Sequence, residues 1–167
     1  SGGGRHAVFP GDGWAALPRD CAAVLIHDRS RPCASTSLMR RVLAALRDGS
    51  EAVVRGMPVT GTIRSVDGAG EVLMPHPREY LRAVQTPQGF RLGPLREAHA
   101  RAEAEGWQVT DDASLLERCC TPVLVVPGDE ANRQLTTFGV LRLIPDLTDG
   151  GRLGRSFLEP CSGFVSD

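Results

Sequence analysis

The sequence predicts an α/β fold: a mostly parallel sheet flanked by helices, with a β-hairpin arm leaving it. Three observations carry this prediction. Short apolar, β-branched runs alternate with stretches of helical periodicity, the pattern of successive strand and helix units. Two of those runs, one ending at His27-Asp28 and the other at Pro127-Gly128-Asp129, stop abruptly at polar turns, as buried parallel strands do. Between them, residues 60–78 break into short extended pieces around Asp67-Gly68-Ala69-Gly70, a hairpin signal.

In chain order, Cys21 to His27 is the first strand. A helix follows from Ser37 to Arg47, with Ser35 or Ser37 as its cap, Leu38, Val42 and Leu46 as its apolar stripe, and Asp48-Gly49 as its stop. Glu51 to Val59 is a second strand, and the arm occupies residues 60–78. Arg91 to Trp107 is helical, with Pro94 in the first turn and Gly106 at the end. A shorter helix carries Ala113, Leu115 and Leu116 behind a Thr110 or Asp111 cap. Pro122 to Val126 is a further strand, and a last helix capped by Thr136 or Thr137 ends at Pro145. This places one α/β domain over residues 1–147 and a loosely ordered tail over residues 148–167.

Composition narrows the function classes. The 167 residues are 41% hydrophobic and 23% charged, enough for one globular domain with its own core. No apolar run approaches the ~20 residues that span a bilayer, and Ser1-Gly-Gly-Gly-Arg5 leads into no signal-peptide core, so the cytoplasm is the expected location. A net charge of -1 argues against nucleic acid or an anionic membrane as partner. Cys21, Cys33, Cys119, Cys120 and Cys161 form no C-x-x-C pair, which favours buried or inert thiols over metal or redox chemistry. All 19 basic residues are arginine, so no lysine ammonium is available to hold a phosphate.

Candidate functional residues cluster at strand ends. Asp28, Arg29 and Arg31 follow the first strand, where an α/β protein collects ligands, and they read either as a phosphate-holding turn or as a solvated salt-bridging one. Gln85-Thr-Pro-Gln-Gly-Phe-Arg91 reads as a tight turn, or as a hydroxyl and amides facing a phosphate or sugar. Thr110-Asp111-Asp112 is either an N-cap acid beside a solvated acid or a carboxylate pair for Mg²⁺.

Taken in order, Val24 to Cys33, Pro58 to Arg64, Arg78 to Leu81, Ala83 to Arg91, Thr110 to Ala113, Val125 to Asp129, and Asn132 with Thr136-Thr137 resemble the methylerythritol-phosphate cytidylyltransferases of the non-mevalonate isoprenoid pathway. The resemblance covers residues 2–145. It implies a Rossmann-like sheet and a reaction of CTP with a sugar-alcohol phosphate, releasing pyrophosphate, with Mg²⁺ carried on the CTP phosphates. It also implies that Asp28 binds substrate hydroxyls, that Arg31 holds the strand-end turn or reaches phosphate, and that Thr86 contacts the substrate. Thr62 and Arg78 fall on the family's arm, which crosses a two-fold axis and completes the neighbouring pocket, so a homodimer is expected.

The nucleotide half departs from that pattern. The family's Gly-rich loop, whose arginine and lysine cradle the CTP triphosphate, finds no match here, so the N-terminal CTP-binding segment is expected to be lacking; Gly2 and Gly3, in Gly2-Gly3-Gly4-Arg5, resemble the family's glycine pair that contacts the cytidine side. Phe9 stands where a hydroxyl is usual, Gly61 where an acid precedes the arm threonine, and Gln134 at the second lysine position; Arg29 and Ser30 replace alanines. No catalytic residue is assigned, and the expected activity of the chain by itself is low or nil. Three readings follow from these residues: a divergent or truncated methylerythritol-phosphate cytidylyltransferase, a ribitol-phosphate-type cytidylyltransferase, and a non-catalytic relative that binds a sugar phosphate or a partner protein.

Overall fold

The computed structural model describes residues 17–134, Arg19 excepted. The last helix, the tail, Gly2, Gly3, Phe9 and Cys161 therefore lie outside the described residues.

Strand β1 (Ala23–Ile26) leads into helix α1 (Thr36–Arg47), which returns to β2 (Ala52–Pro58). The arm follows as β3 (Ile63–Val66) and β4 (Val72–His76), then a 3-10 turn at Arg78–Tyr80 and β5 (Arg82–Arg91). Helices α2 (Leu92–Glu105) and α3 (Asp112–Arg118) precede β6 (Val123–Pro127). Four strands form one sheet in the order β1-β5-β2-β6. Because β5 is antiparallel to both β1 and β2, while β2 and β6 are parallel, β1, β2 and β6 all run one way with β5 reversed between them. The sheet is mixed, but its dominant direction is the predicted one.

Alternation along each strand explains why helices cover both faces. Val24, Ile26, Ala52, Val54 and Phe90 meet Leu92, Leu95 and Ala98 of α2 and Ala113, Leu115 and Leu116 of α3. Val53, with Ala23, Leu25 and Val126 beside it, meets Val42 and Leu46 of α1. The predicted stripe of α1 is buried in full. Its cap differs from expectation, since the Ser35 hydroxyl pairs with Ser37 Oγ at 2.8 Å and caps no backbone N–H. At its other end Gly49, with φ of 112°, supplies the left-handed turn that terminates the helix.

The main correction concerns residues 85–91. They form no tight turn but the second half of β5, an internal strand. Pro87 has no N–H for a ladder, and the strand accommodates it at a bulge: Val53 pairs with Gly89, but Arg55 pairs with Gln85. Gly89 is required by close packing, because a Cβ there would lie 2.4 Å from Val42 Cγ1.

The arm forms as predicted. β3 and β4 make a separate two-stranded sheet, closed by Asp67, whose Oδ1 accepts from the Ala69 and Glu71 N–H groups at 2.9 Å. Val66, Val72, Leu73 and Met74 are exposed along it. Among the described residues no helix is long and apolar enough to cross a membrane.

Candidate functional site

The parallel strands β1 and β6 end at the same edge of the sheet, and the residues that follow them meet across β5. Gln85 fastens the loop after β6. Its buried side-chain amide donates to the Asp129 carbonyl at 3.0 Å and the Asn132 carbonyl at 3.3 Å, and its Oε1 accepts the Asp129 N–H at 3.1 Å. Gly128 permits this approach, since a Cβ there would stand 2.9 Å from Gln85 Oε1. Asn132, fully buried, donates through Nδ2 to the Thr86 carbonyl at 2.7 Å.

On the β1 side, Asp28 sits in a turn of its own making, with Oδ1 accepting the Ser30 N–H at 2.8 Å. Its backbone N–H donates to Thr86 Oγ1 at 2.9 Å. Thr86 Oγ1 is also 3.1 Å from His27 Nδ1, and His27 Nε2 is 2.9 Å from the Arg31 carbonyl. A carbonyl can only accept, so Nε2 carries a proton and Nδ1, in the neutral ring, accepts from the Thr86 hydroxyl. Burial holds the His27 pKa below its ordinary value, which keeps the ring neutral; the Arg31 carbonyl and Asp28 oppose this, and Arg31 and Arg55 reinforce it.

Arg31 reaches across to the other loop. Its Nη1 donates to the Asn132 carbonyl at 2.9 Å and its Nη2 to Gln134 Oε1 at 3.3 Å. Gln134 Nε2 donates in turn to Asp28 Oδ2 at 3.1 Å. The Gln134 amide thus bridges acid and cation. Asp28, Arg31 and Thr86 converge into one network, in which Arg31 holds the far loop.

Thr62 and Arg78 lie on the exposed arm and base, with no hydrogen bond to Asp28, Arg31 or Thr86; Arg78 Nη1 donates to the Thr60 carbonyl at 3.2 Å. At the third candidate, Asp111 caps α3 by accepting the Ser114 N–H at 2.9 Å. Asp112, expected to be solvated, is buried and 2.7 Å from His99 Nε2. Of the two alternatives for the thiols, buried or inert, burial is not what is seen: Cys120 is exposed, and Cys21, Cys33 and Cys119 are half-buried.

Sequence reasoning did not assign His27, although it stands at the end of an apolar run beside the one acid of that turn. Arg55 was equally unmarked. It is fully buried on β2, with Nη2 donating to the Pro127 carbonyl at 3.0 Å and, among the described residues, no acceptor at Nε or Nη1.

The family model described as "IspD: 2-C-methyl-D-erythritol 4-phosphate cytidylyltransferase" matches residues 2–143. The chain is 53% identical over 125 residues to the "Bifunctional enzyme IspD/IspF" of Nitratidesulfovibrio vulgaris (strain DP4), covering 75% of this chain and 31% of that relative. It is 46% identical over 125 residues to the "2-C-methyl-D-erythritol 4-phosphate cytidylyltransferase" of Parasynechococcus marenigrum (strain WH8102), covering 75% of this chain and 55% of the relative. Among solved structures, the 2-C-methyl-D-erythritol 4-phosphate cytidylyltransferase of Thermus thermophilus superposes with a TM-score of 0.66 at 40% identity, over 75% of this chain and 61% of that one. The 4-diphosphocytidyl-2C-methyl-D-erythritol synthase of Anaerococcus prevotii DSM 20548 gives 0.71 at 32% identity, over 77% and 59%. The chain thus spans less than two thirds of the length of these relatives.

Proposed function

Because the chain belongs to the 2-C-methyl-D-erythritol 4-phosphate cytidylyltransferase family, we propose that it acts in joining CTP to 2-C-methyl-D-erythritol 4-phosphate, giving CDP-methylerythritol and pyrophosphate. In that reaction a phosphate oxygen of the sugar alcohol forms a bond to the α-phosphorus of CTP as the bond to pyrophosphate breaks. The protein's contribution is positioning and charge neutralisation. The observation that carries the reading is the single network joining Asp28, Thr86, Arg31 and Gln134 at the carboxyl edge of the sheet. Asp28 receives the substrate's hydroxyls and Arg31, braced on the far loop, faces its phosphate. The Parasynechococcus and Thermus relatives carry the methylerythritol phosphate activity in their names, which favours that substrate over ribitol phosphate.

Mg²⁺ enters this reading on the nucleotide. Among the described residues no three acids, histidines or cysteines converge into a protein-built metal site, and Asp28 already receives donors at both oxygens. When bound, the ion neutralises phosphate charge, and the chain's own residues orient the sugar alcohol. The exposed apolar arm supports a homodimer in which Thr62 and Arg78 serve the neighbouring pocket. A cytoplasmic location fits the same reading.

Pyrophosphate release from CTP, methylerythritol phosphate and Mg²⁺ tests it. With an amide at the lysine position, turnover of the wild type is expected below ~1 s⁻¹, and the Gln134→Lys variant is expected to raise it about tenfold by adding a cation beside the transferring phosphate. No substrate-dependent pyrophosphate from either protein overturns the proposal.

A further inference from the structure

We infer that His27 is a positioning residue that sets the polarity of the pocket: by taking the only proton of the Thr86 hydroxyl, it makes Thr86 and Asp28 together an acceptor-only surface, selective for the hydroxyl groups of a ligand and against its phosphate. The inference rests on the site reading above for where the ligand lies, but its chemistry is internal to the chain.

A threonine hydroxyl has one proton and two lone pairs. Here the proton is directed to His27 Nδ1, 3.1 Å away, because Nε2 is committed as donor to the Arg31 carbonyl at 2.9 Å. One lone pair receives the Asp28 N–H at 2.9 Å. What Thr86 has left to offer is one lone pair. The neighbouring carboxylate has only lone pairs to offer, after receiving the Ser30 N–H and the Gln134 amide. Two hydroxyls of a polyol, each with its own proton, can donate one to Thr86 and one to Asp28 and are satisfied. A phosphate oxygen placed there faces oxygen against oxygen and is repelled, so it is driven toward the guanidinium of Arg31. The neighbours of His27 among the described residues keep the ring in this state. The charged groups are Asp28 and Arg31 from its own segment and Arg55 from β2, and the uncharged hydroxyl of Thr86 approaches from β5. Were the ring to present N–H at Nδ1, the same hydroxyl would turn its proton outward and become a phosphate donor. One imidazole tautomer therefore decides which end of a sugar-alcohol phosphate lies against β5.

Nitrogen-15 NMR of the full chain without ligand reads the tautomer directly. The expected result is a neutral His27 protonated at Nε2, with an Nδ1 resonance that moves in Thr86→Val and stays in place in Thr86→Ser. An Nδ1–H ring, or a resonance indifferent to Thr86→Val, overturns the inference. Calorimetry with methylerythritol phosphate then separates two substitutions of the ring. His27→Asn keeps an acceptor where Nδ1 was, and its affinity is expected within about twofold of wild type; His27→Gln keeps only the donor toward Arg31 and is expected to lose about tenfold, the worth of one hydrogen bond with an unpaired group left behind. Equal losses in the two variants also overturn it. Absence of binding in the wild type overturns the reading of the site, while the ligand-free resonances still place the proton.

Discussion

Arg55 is fully buried in the middle of β2, and among the described residues only one of its three nitrogens finds an acceptor. Burial lowers its pKa, the cation at Arg41 pushes the same way, and Asp129 opposes them. A buried charge this poorly matched costs more than it returns: even a buried ion pair, which has its countercharge, can often be replaced by apolar residues of similar volume with a neutral or stabilising result of about 1–4 kcal/mol. Arg55→Met keeps the length of the side chain and removes the charge. It loses the bond to the Pro127 carbonyl, worth about 1 kcal/mol. Urea unfolding of Arg55→Met is therefore expected to show stability equal to wild type or higher, whereas Arg55→Ala, which opens a cavity as well, is expected to be lower by roughly 2–5 kcal/mol. A Met variant as unstable as the Ala variant would show that the guanidinium is better satisfied than its neighbours indicate. Nothing in Val53-Val54-Arg55-Gly56 announces this burial, because a charge inside an apolar run ordinarily marks the solvent side of a strand. Asp28 and Arg31 were legible as candidates for the opposite reason: they follow a strand end, where α/β proteins collect ligands.

Among the elements, the legible ones are those whose own periodicity decides their burial. The Leu38, Val42 and Leu46 stripe and the Gly106 stop of α2, with φ of 64°, read the same in sequence and structure. β5 did not, since proline, glycine and amides side by side have the local chemistry of a turn. What makes the segment a strand is tertiary: Gln85 finds its partners in the loop 44 residues later, and Gly89 is pressed by α1. Two glycine substitutions separate these influences. Gly89→Ala places a Cβ 2.4 Å from Val42 Cγ1 and 2.9 Å from Leu46 Cδ1, so a loss of about 1–3 kcal/mol is expected from overpacking. Gly93→Ala, at the second position of α2, meets no atom beyond its chain neighbours within 4 Å, but it stands directly before Pro94, whose ring crowds an added Cβ in the helical conformation, so the propensity gain is offset and stability within about 0.5 kcal/mol of wild type is expected. Thermal unfolding of the two variants checks both expectations; a Gly89→Ala protein as stable as wild type would mean that α1 yields and does not set the register of β5.

At the scale of the molecule, three segments distant in sequence, residues 27–31, 85–86 and 129–134, are drawn to one edge of the sheet by strand direction and by Gln85 and Asn132. Sequence order alone matched these segments to a family. It did not show that the Gln134 amide would stand between Asp28 and Arg31, because that contact spans 106 residues and is made by tertiary folding alone. The ligand proposed for this edge is the sugar-alcohol phosphate, whose binding there can be measured. Calorimetric titration of methylerythritol phosphate into wild type and Asp28→Asn, at low salt so that the cations are least screened, tests it most directly. Saturable binding by the wild type is expected, with an affinity lower by about tenfold or more in the variant, since an amide oxygen accepts from a hydroxyl more weakly than a carboxylate does. A wild type that does not bind, or an Asp28→Asn protein that binds equally well, would contradict it.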